Sequence, residues 1–233
     1  MTDKTGILGS MGSTPLVPLK NSSANPDVEI WVKLESRNPG GSVKDRVALH
    51  MIADAERQGQ LEEGATIIEA TSGNTGIGLA TVAAVKGYPI LLAMSEAVSV
   101  ERRRILAALG ADFLLTPAEL GTDGAIEAVY EKVREEPDRF FMPDQFNNPM
   151  NVDAHYRGTG PEILAQSGGR VTHVVASMGT TGTVMGISKF MREAAPTVRV
   201  VGVEPYLGHK IQGLKNLKEA YCPGIFDRSA LDE

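Results

Sequence analysis

One lysine near the start of a predicted helix is the side chain in this sequence best placed for covalent chemistry. Lys44 follows a Gly-Gly turn, and the spacing of Ser42 and Asp45 is typical of a capping box at a helix N-terminus. The positive end of the helix dipole, together with burial, would lower the pKa of an ammonium group in the first helical turn. A lysine with a lowered pKa is a good nucleophile for forming a Schiff base. Most lysines are solvated surface groups, so this interpretation depends on the rest of the chain.

A short glycine-containing loop lies between a predicted strand at residues 65–70 and a predicted helix at residues 75–86. A strand–loop–helix turn of this kind presents free backbone N–H groups at the positive end of the helix, where they can bind a carboxylate or a phosphate. Hydroxyl and amide side chains add further donors. The candidate anion-binding residues of this first loop are Thr71, Ser72, Gly73, Asn74 and Thr75.

A second loop of the same type follows a predicted strand at residues 171–177 and begins the next helix. Neither loop has the lysine of a nucleoside-triphosphate P-loop or the Gly-x-Gly-x-x-Gly pattern of a dinucleotide site. For either loop alone, the glycines are explained by turn geometry at least as well as by anion binding. Both loops together with Lys44 fit a phosphorylated carbonyl cofactor and a carboxylate substrate. The candidate residues of the second loop are Gly179, Thr180, Thr181, Gly182 and Thr183.

Short apolar strands alternate with helical patterns along most of the chain. Strands that are apolar on both faces and separated by helices predict an α/β fold with open, mostly parallel sheets covered by helices on both faces. Such sheets bind ligands beyond the carboxyl ends of their strands, where both loops occur. A segment rich in Asn and Pro at residues 144–157 is the predicted crossover between two subdomains. The predicted strands are 28–34, 65–70, 89–94, 111–116, 171–177 and 198–203, and the predicted helices are 43–58, 75–86, 99–109, 123–136, 161–166 and 183–194.

The composition disfavours several classes of protein. The 233 residues are 42% hydrophobic and 22% charged, which is ordinary for a globular protein. A net charge of −6 disfavours nucleic acid as a partner, and the basic run 102–104 is interpreted as a solvated helix face. The single cysteine, Cys222, and the scattered histidines offer no metal-ligand pattern. Without a signal pattern or an apolar run of bilayer length, we expect a cytoplasmic protein with no membrane partner.

At these residues the chain resembles the cysteine synthase (O-acetylserine sulfhydrylase) family, closest to its B-type branch, within the fold-type II pyridoxal-phosphate enzymes. The matching segments occur in the family's order and span nearly the whole chain. The resemblance implies a tryptophan synthase β-like fold with a smaller mobile subdomain at residues 36–145, and a larger subdomain from residues 13–35 plus 146–233. The matching segments are residues 12–16, 33–35 with 38–39, 42–46, 71–76, 144–149, 159–163 and 179–183.

The resemblance also implies roles for individual residues. Lys44 resembles the lysine that binds pyridoxal 5'-phosphate and later shuttles protons, and Asn74 resembles the residue that hydrogen-bonds the cofactor's ring hydroxyl. The loop 71–75 resembles the one that binds the substrate α-carboxylate, with help from Gln145. The loop 179–183 resembles the family's phosphate-binding loop.

The implied reaction is a β-replacement that makes L-cysteine from O-acetylserine and sulfide, or S-sulfocysteine from thiosulfate. Alternatives on the same scaffold are cystathionine β-synthase and O-phosphoserine sulfhydrylase, and the latter should need an extra cation near the leaving group. The alternative that is not an enzyme is a truncated homologue that keeps the ligand loops and acts by binding a partner. The resemblance further implies a homodimer, with serine acetyltransferase as a partner chiefly of the A-type branch.

Family members continue beyond the position of Glu233 through a segment with a Ser-Ser-Gly-like turn. One serine of that turn normally bonds the cofactor's pyridine nitrogen, and no residue here matches it. We therefore expect the larger subdomain to be incomplete and to expose apolar surface meant for burial. The sequence is interpreted as the ordered part of a longer protein or as a fragment, in preference to a natural short form.

Overall fold

The computed structural model describes residues 6–209, 211–218 and 222–233 of the chain. Strands and helices alternate along most of its length. The strands are β1 (Leu16–Pro18), β2 (Trp31–Lys33), β3 (Thr66–Ala70), β4 (Ile90–Ser95), β5 (Asp112–Thr116), β6 (Phe140–Phe141), β7 (His173–Ser177) and β8 (Arg199–Val203). The helices are α1 (Lys44–Gln58), α2 (Asn74–Lys86), α3 (Val100–Ala108), α4 (Gly121–Glu135), α5 (Pro149–Ala154), a π-helical turn (His155–Thr159), α6 (Gly160–Gln166) and α7 (Gly182–Ala194).

The first half of the chain forms a parallel sheet with the strand order β5-β4-β3-β6. Helices α1 and α2 cover one face through a core that includes Met51, Leu79 and Leu92. Helix α4 covers the other face, where Ile68 and Val129 belong to one apolar cluster. Because both faces are covered, β3 and β4 are buried along most of their length, as their mostly apolar sequences predict.

The second half contains a separate parallel pair, β7 and β8, in which Val174 lies opposite Val200. Helix α7 covers one face of this pair through Ile187 and Met191. The opposite face is open, because the side chain of Val175 is 64% exposed. The exposed apolar surface that the resemblance predicts for the larger subdomain is therefore present on β7.

A nearly continuous helical run of α5, the π-helical turn and α6 connects the two sheets. Asn148 caps α5 by accepting a hydrogen bond from the Met150 N–H at 2.9 Å, and Pro149 occupies the first helical position. Gly186 lets α7 approach α5 closely, because a Cβ there would lie 2.3 Å from the Val152 carbonyl oxygen. This close approach holds α5 against α7.

The predicted strands and helices are all present, with ends that differ from the predicted ones by three residues or fewer. The sequence analysis did not predict β1, which pairs antiparallel with β2, or the short elements β6 and α5. Helix α5 lies inside the segment 144–157 that was interpreted as a crossover. The α/β class with parallel sheets is confirmed, whereas the subdomain bounds at 36–145 and at 13–35 plus 146–233 remain a prediction. No helix in the described ranges has the length and apolar character needed to cross a bilayer.

Candidate active site

A wide cavity of about 1210 Å³ lies at the carboxyl ends of β3 and β7 and extends along the open face of β7. Parallel sheets place their ligand sites in such positions, because the strand–helix loops converge there. All of the site residues named from the sequence except Gly182 line this cavity. They are Lys44, Thr71, Ser72, Gly73, Asn74, Thr75, Gln145, Gly179, Thr180, Thr181 and Thr183.

Lys44 is the first residue of α1 and reaches from the first half of the chain to the second loop. Its Nζ donates a hydrogen bond to Thr180 Oγ1 at 3.1 Å. Burial of the amine lowers the pKa of Lys44 from 10.5 to about 8. A large fraction of the amine is therefore neutral near pH 8, and a neutral amine can act as a nucleophile or a base.

The start of α1 differs in detail from the predicted capping box. The N-cap position makes no side-chain hydrogen bond. Ser42 Oγ accepts a hydrogen bond from the Lys44 N–H at 3.2 Å, but Asp45 accepts one from the Gly40 N–H at 2.5 Å instead of from Ser42. The turn at Gly41, with φ of +80°, brings Gly40 over the helix start. The capping-box prediction is therefore wrong, although Ser42 does contact the first turn.

The first loop joins the end of β3 to the N-terminus of α2. The backbone hydrogen bonds of α2 begin with the Ile77 N–H and the Gly73 carbonyl at 3.2 Å, so the preceding amides have no partner within the helix. The Thr75 hydroxyl donates to Gln145 Oε1 at 2.7 Å, which holds the loop against the segment after β6. The free amides at the positive end of α2 suit a carboxylate.

The second loop joins β7 to α7 and requires glycine at two positions. A Cβ at Gly179 would lie 2.1 Å from the Gly213 carbonyl oxygen, and a Cβ at Gly182 would lie 2.0 Å from Asn151 Oδ1. Thr181 has a left-handed backbone with φ of 67°, and its carbonyl accepts the first backbone hydrogen bond of α7 at 3.0 Å. The loop amides before that point are free of intrahelical partners and can bind an anion.

Asn151 in α5 is a fully buried contact of the second loop that the sequence analysis did not identify. Its Nδ2 donates to Thr180 Oγ1 at 3.0 Å and to the Gln145 main-chain oxygen at 2.7 Å. The available signal was the Asn148-Pro149 pair, which is typical of a helix start. A helix beginning there would have placed Asn151 on a helix facing the ligand loops.

His155 is a second fully buried side chain at this loop. Its Nε2 lies 3.2 Å from Thr183 Oγ1, and its Nδ1 lies 2.9 Å from Thr159 Oγ1. Burial, and secondarily the positive charges of Lys44 and Arg46, hold the pKa of His155 well below its usual value. The ring is therefore neutral at physiological pH and braces the loop as a hydrogen-bonding group.

Arg46 connects α1 to α6 through a cluster of charges close to the cavity, in which Arg46 is buried and its two glutamate partners are half-buried. Its guanidinium group donates to Glu35 at 2.7 Å and 2.9 Å and to Glu162 at 2.7 Å and 2.8 Å. Burial raises the pKa of Glu162, but hydrogen bonds from Arg46 and Lys33 outweigh it and lower that pKa to about 2. The cluster therefore keeps Glu162 ionised and ties the two halves of the chain together.

The cavity also has lining residues outside the two loops. Arg102 of α3 and Thr122 of α4 are part of its wall. Arg102 and Arg103 are partly buried and Arg104 is exposed, so the interpretation of residues 102–104 as a solvated helix face remains a prediction. Within the residues that the structure describes, no group of three or more His, Cys, Asp or Glu side chains is arranged to hold a metal ion.

Comparisons with known proteins identify relatives over nearly the whole chain. The family profile described as pyridoxal-phosphate dependent enzyme matches residues 7–225. Cysteine synthase B of Escherichia coli (strain K12) is 49% identical over 224 residues, which cover 96% of this chain and 73% of that protein. The predicted resemblance to the B-type branch is confirmed by this relative.

Solved structures with the same fold cover nearly all of the chain. A crystal structure of O-ureido-L-serine synthase has a TM-score of 0.91 and 42% sequence identity, covering 98% of this chain and 74% of its own. Cysteine synthase from Entamoeba histolytica has a TM-score of 0.91 and 38% identity, covering 97% of this chain and 70% of its own. These relatives are longer than the sequence described here.

Proposed function

We propose a cysteine synthase activity from the premise that this chain belongs to the pyridoxal-phosphate-dependent enzyme family, whose profile spans residues 7–225. The relative named cysteine synthase B, at 49% identity, supports the formation of cysteine as the reaction. The observation that carries the proposal is the 3.1 Å contact between the Lys44 amine and Thr180. This contact supports a role for Lys44, whose pKa is lowered, as a nucleophile next to the loop that binds the phosphate in this proposal.

The residues around the cavity fit pyridoxal 5'-phosphate. The loop 179–183 offers free amides and hydroxyl groups, and its two constrained glycines exclude side chains from the turn. In this proposal that loop binds the phosphate group, Lys44 binds the carbonyl carbon, and Asn74 bonds the ring hydroxyl. When bound, the cofactor supplies an electron sink for the negative charge that develops at the substrate Cα.

The loop 71–75 and Gln145 bind the α-carboxylate of the substrate in this proposal. The amides at the N-terminus of α2 are free, and the Thr75–Gln145 hydrogen bond of 2.7 Å fixes the loop before substrate arrives. Holding the substrate carboxylate at this loop and the cofactor phosphate at the second loop would orient the Cα–H bond toward Lys44. With a pKa of about 8, Lys44 can take that proton as a general base close to neutral pH.

The net reaction is a substitution at the β-carbon of O-acetylserine without oxidation or reduction. The bond between Cβ and the ester oxygen breaks, and acetate leaves with the electron pair. Hydrosulfide supplies the electron pair of the new C–S bond, and the proton that Lys44 removed returns to Cα. The product is L-cysteine from sulfide, or S-sulfocysteine when thiosulfate is the sulfur donor.

We also propose that the chain acts in the cytoplasm as a homodimer, with serine acetyltransferase as a candidate protein partner. The family resemblance supports these three statements. Size-exclusion chromatography with light scattering tests the dimer, and a pull-down with purified serine acetyltransferase tests the partner. A monomeric active enzyme would contradict the homodimer, and the absence of a complex in the pull-down would contradict serine acetyltransferase as a partner.

The activity is tested by measuring amino-acid products from the full chain with pyridoxal phosphate. The nucleophile is sulfide or homocysteine, and the second substrate is O-acetylserine, O-phosphoserine or serine. We expect cysteine from O-acetylserine. In the Lys44→Ala variant, loss of the nucleophile and base should lower the rate by roughly 10²- to 10⁴-fold or more. Far-UV circular dichroism of the variant checks that the fold is intact.

The outcomes of this assay separate the alternatives. Preference for O-phosphoserine would identify a phosphoserine enzyme, and turnover of serine with homocysteine alone would identify a cystathionine β-synthase. A monodisperse chain that binds no cofactor and produces no amino acid would contradict the proposed function and favour a non-catalytic homologue.

A further inference from the structure

The hydroxyl oxygen of Thr180 accepts two hydrogen bonds from buried donors. Lys44 Nζ lies 3.1 Å away, and Asn151 Nδ2 lies 3.0 Å away. A threonine hydroxyl has two acceptor lone pairs and one hydrogen to donate. Because Lys44 and Asn151 use both acceptor positions, the hydroxyl hydrogen of Thr180 is free to be donated to a third group. Thr180 lines the cavity, so that group can be a ligand in the cavity.

The orientation of the Asn151 side chain is determined by its second hydrogen bond. The nitrogen of an asparagine amide can be confused with its oxygen, so the assignment needs a neighbour that can only accept. The Gln145 main-chain oxygen, 2.7 Å from Asn151 Nδ2, is such a neighbour. The same –NH₂ group supplies the hydrogen for Thr180, so Thr180 must accept.

The orientation of the Asn151 side chain depends on the hydrogen bonds of Nδ2. Its Oδ1 is buried and has no hydrogen-bond partner among the described residues. It lies against Gly182, where a Cβ would come within 2.0 Å of it. A buried acceptor without a partner costs free energy, so the two hydrogen bonds of Nδ2 must hold the amide in this orientation.

We propose that Asn151 is a positioning residue that directs the Thr180 hydroxyl hydrogen toward the cofactor phosphate and links this loop to the substrate-carboxylate loop. The inference rests on the proposed function, because it assumes a phosphate on the second loop. A phosphate oxygen only accepts hydrogen bonds, so a hydroxyl aimed at it must donate. Lys44 leaves Thr180 when it reacts with the carbonyl, whereas the Asn151 hydrogen bond persists.

The link to the substrate loop runs through Gln145. Its main-chain oxygen accepts from Asn151, and its side-chain oxygen accepts from the Thr75 hydroxyl at 2.7 Å. The hydrogen-bonded series therefore runs from Thr75 through Gln145 and Asn151 to Thr180. Each member holds the next in one orientation, so both anion sites share one support.

The test uses the Asn151→Asp variant, which keeps the size of the side chain but replaces the donor by an acceptor. Thr180 would then donate to the aspartate and lose its hydrogen bond to phosphate. We expect the affinity of the cofactor-free full chain for pyridoxal phosphate to fall roughly ten- to hundredfold. The affinity for pyridoxal, which has no phosphate, should change much less. Both affinities are measured by absorbance titration.

Two further variants make the result specific. In a Thr180→Val background, Asn151→Asp should cause no additional loss in the ratio of the two affinities, because the hydroxyl is already absent. Thr180→Ser keeps the hydroxyl and should retain the wild-type ratio. Asn148→Asp, the same substitution at the N-cap of α5, preserves the acceptor of the cap and should leave the ratio unchanged.

The outcomes distinguish this proposal from the proposed function. Equal losses of affinity for pyridoxal phosphate and pyridoxal in Asn151→Asp would overturn the role of Asn151 and would indicate a general disturbance of the fold. The same ratio change in the Thr180→Val background would also overturn it. Wild-type chain that binds neither compound would overturn the proposed function, and this proposal with it.

Discussion

The two parallel sheets present similar loops at the cavity, but they are buried to very different extents. In the first sheet the strand β3 places Ile67 and Ile68 on opposite faces, and both side chains are fully buried. In the second sheet the neighbouring residues Val174 and Val175 are 9% and 64% exposed. Strand–helix loops with backbone amides free of intrahelical partners therefore occur in both sheets, whether helices cover one face of the sheet or both.

The second loop obtains its support from outside its sheet. Asn151 and His155 contact it from α5 and the π-helical turn, and the segment containing Gly213 crosses it at Gly179. The first loop is supported from within its own half, where Thr75 bonds Gln145. The less covered sheet thus carries the loop with more polar side-chain contacts. We therefore expect substitutions in the two halves to differ in their effect on the free energy of unfolding.

The largest expected effect is at the charge cluster that joins the halves. Arg46→Met would remove the buried guanidinium group that pairs with the half-buried Glu35 and Glu162, although Lys33 would still pair with Glu162. We expect a loss of about 3–5 kcal/mol in the free energy of unfolding, measured in urea. The matched control is Arg157→Met, since the Arg157 side chain is 68% exposed in its pair with Asp153. That change should cost about 1 kcal/mol or less.

The pH dependence of the same cluster has a definite sign. The pKa of Glu162 is about 2 in the folded chain, below its unfolded value of 4.5. Its contribution to stability is therefore present above pH 4.5 and is lost as pH falls toward 2. Arg46→Met should flatten this part of the stability curve. A curve that keeps its wild-type slope there would contradict the assignment.

The next effect tests the double coverage of the first sheet. Leu92 is fully buried in β4, and Leu92→Ala should cost about 2–5 kcal/mol because it leaves a cavity between the sheet and α2. Leu115→Ala in the neighbouring strand is the control, because Leu115 is 39% exposed and should cost clearly less. Similar losses at both positions would argue against a core on this face.

A smaller effect concerns Glu69, the buried carboxyl group of β3. Burial, and secondarily the charge of Asp144, raise the pKa of Glu69 from 4.5 to about 8. The folded chain therefore holds a proton that the unfolded chain releases, so stability is full below pH 4.5 and falls as pH rises through 8. Glu69→Gln should remove roughly 2–3 kcal/mol of this loss between pH 5 and pH 8.

Urea unfolding of wild type and Glu69→Gln at several pH values measures this effect. Groups common to both proteins cancel in the difference between the two curves. We expect the variant to be the more stable protein at pH 8 and nearly equal to wild type at pH 5. Parallel curves over the whole range would mean that Glu69 does not carry a bound proton in the folded chain.

The smallest expected effect is on the open face of the second sheet. Val175→Ala should change the free energy of unfolding by about 0.5 kcal/mol or less, because the side chain is already 64% exposed. Val200→Ala is the matched control on the covered face, where the side chain is 2% exposed, and should cost more. A large loss at Val175 would show that another chain or segment covers this face in solution.

The sequence was sufficient to predict the elements that lie in the periodic part of the chain. Strands such as β3 and β4 are mostly apolar because they are buried on both faces, and the glycines of both loops mark the strand–helix junctions. Lys44 could be identified because the chemistry of an amine at a helix start is local to the sequence. The family resemblance then supplied the relation between these separate pieces.

Contacts between distant residues could not be predicted in the same way. Helix α5 spans Pro149–Ala154, so it is too short for a periodic pattern and its polar residues resemble a loop. The hydrogen bond from the Gly40 N–H to Asp45 depends on the turn at Gly41, and the sequence alone did not predict that turn's course over the helix start. Asn151 was missed because α5 is too short to be recognised and because its hydrogen-bond partners, Gln145 and Thr180, lie at separate places in the chain.

The central claim is that Lys44 and the two loops together hold pyridoxal phosphate in position for reaction with O-acetylserine. The most direct measurement is the visible absorption spectrum of the purified chain with pyridoxal phosphate, before and after addition of O-acetylserine, in wild type and in Lys44→Ala. We predict an absorption band of lysine-linked cofactor that changes on addition of O-acetylserine and is absent from the variant. A wild-type chain without that band, or a variant that retains it, would contradict the account.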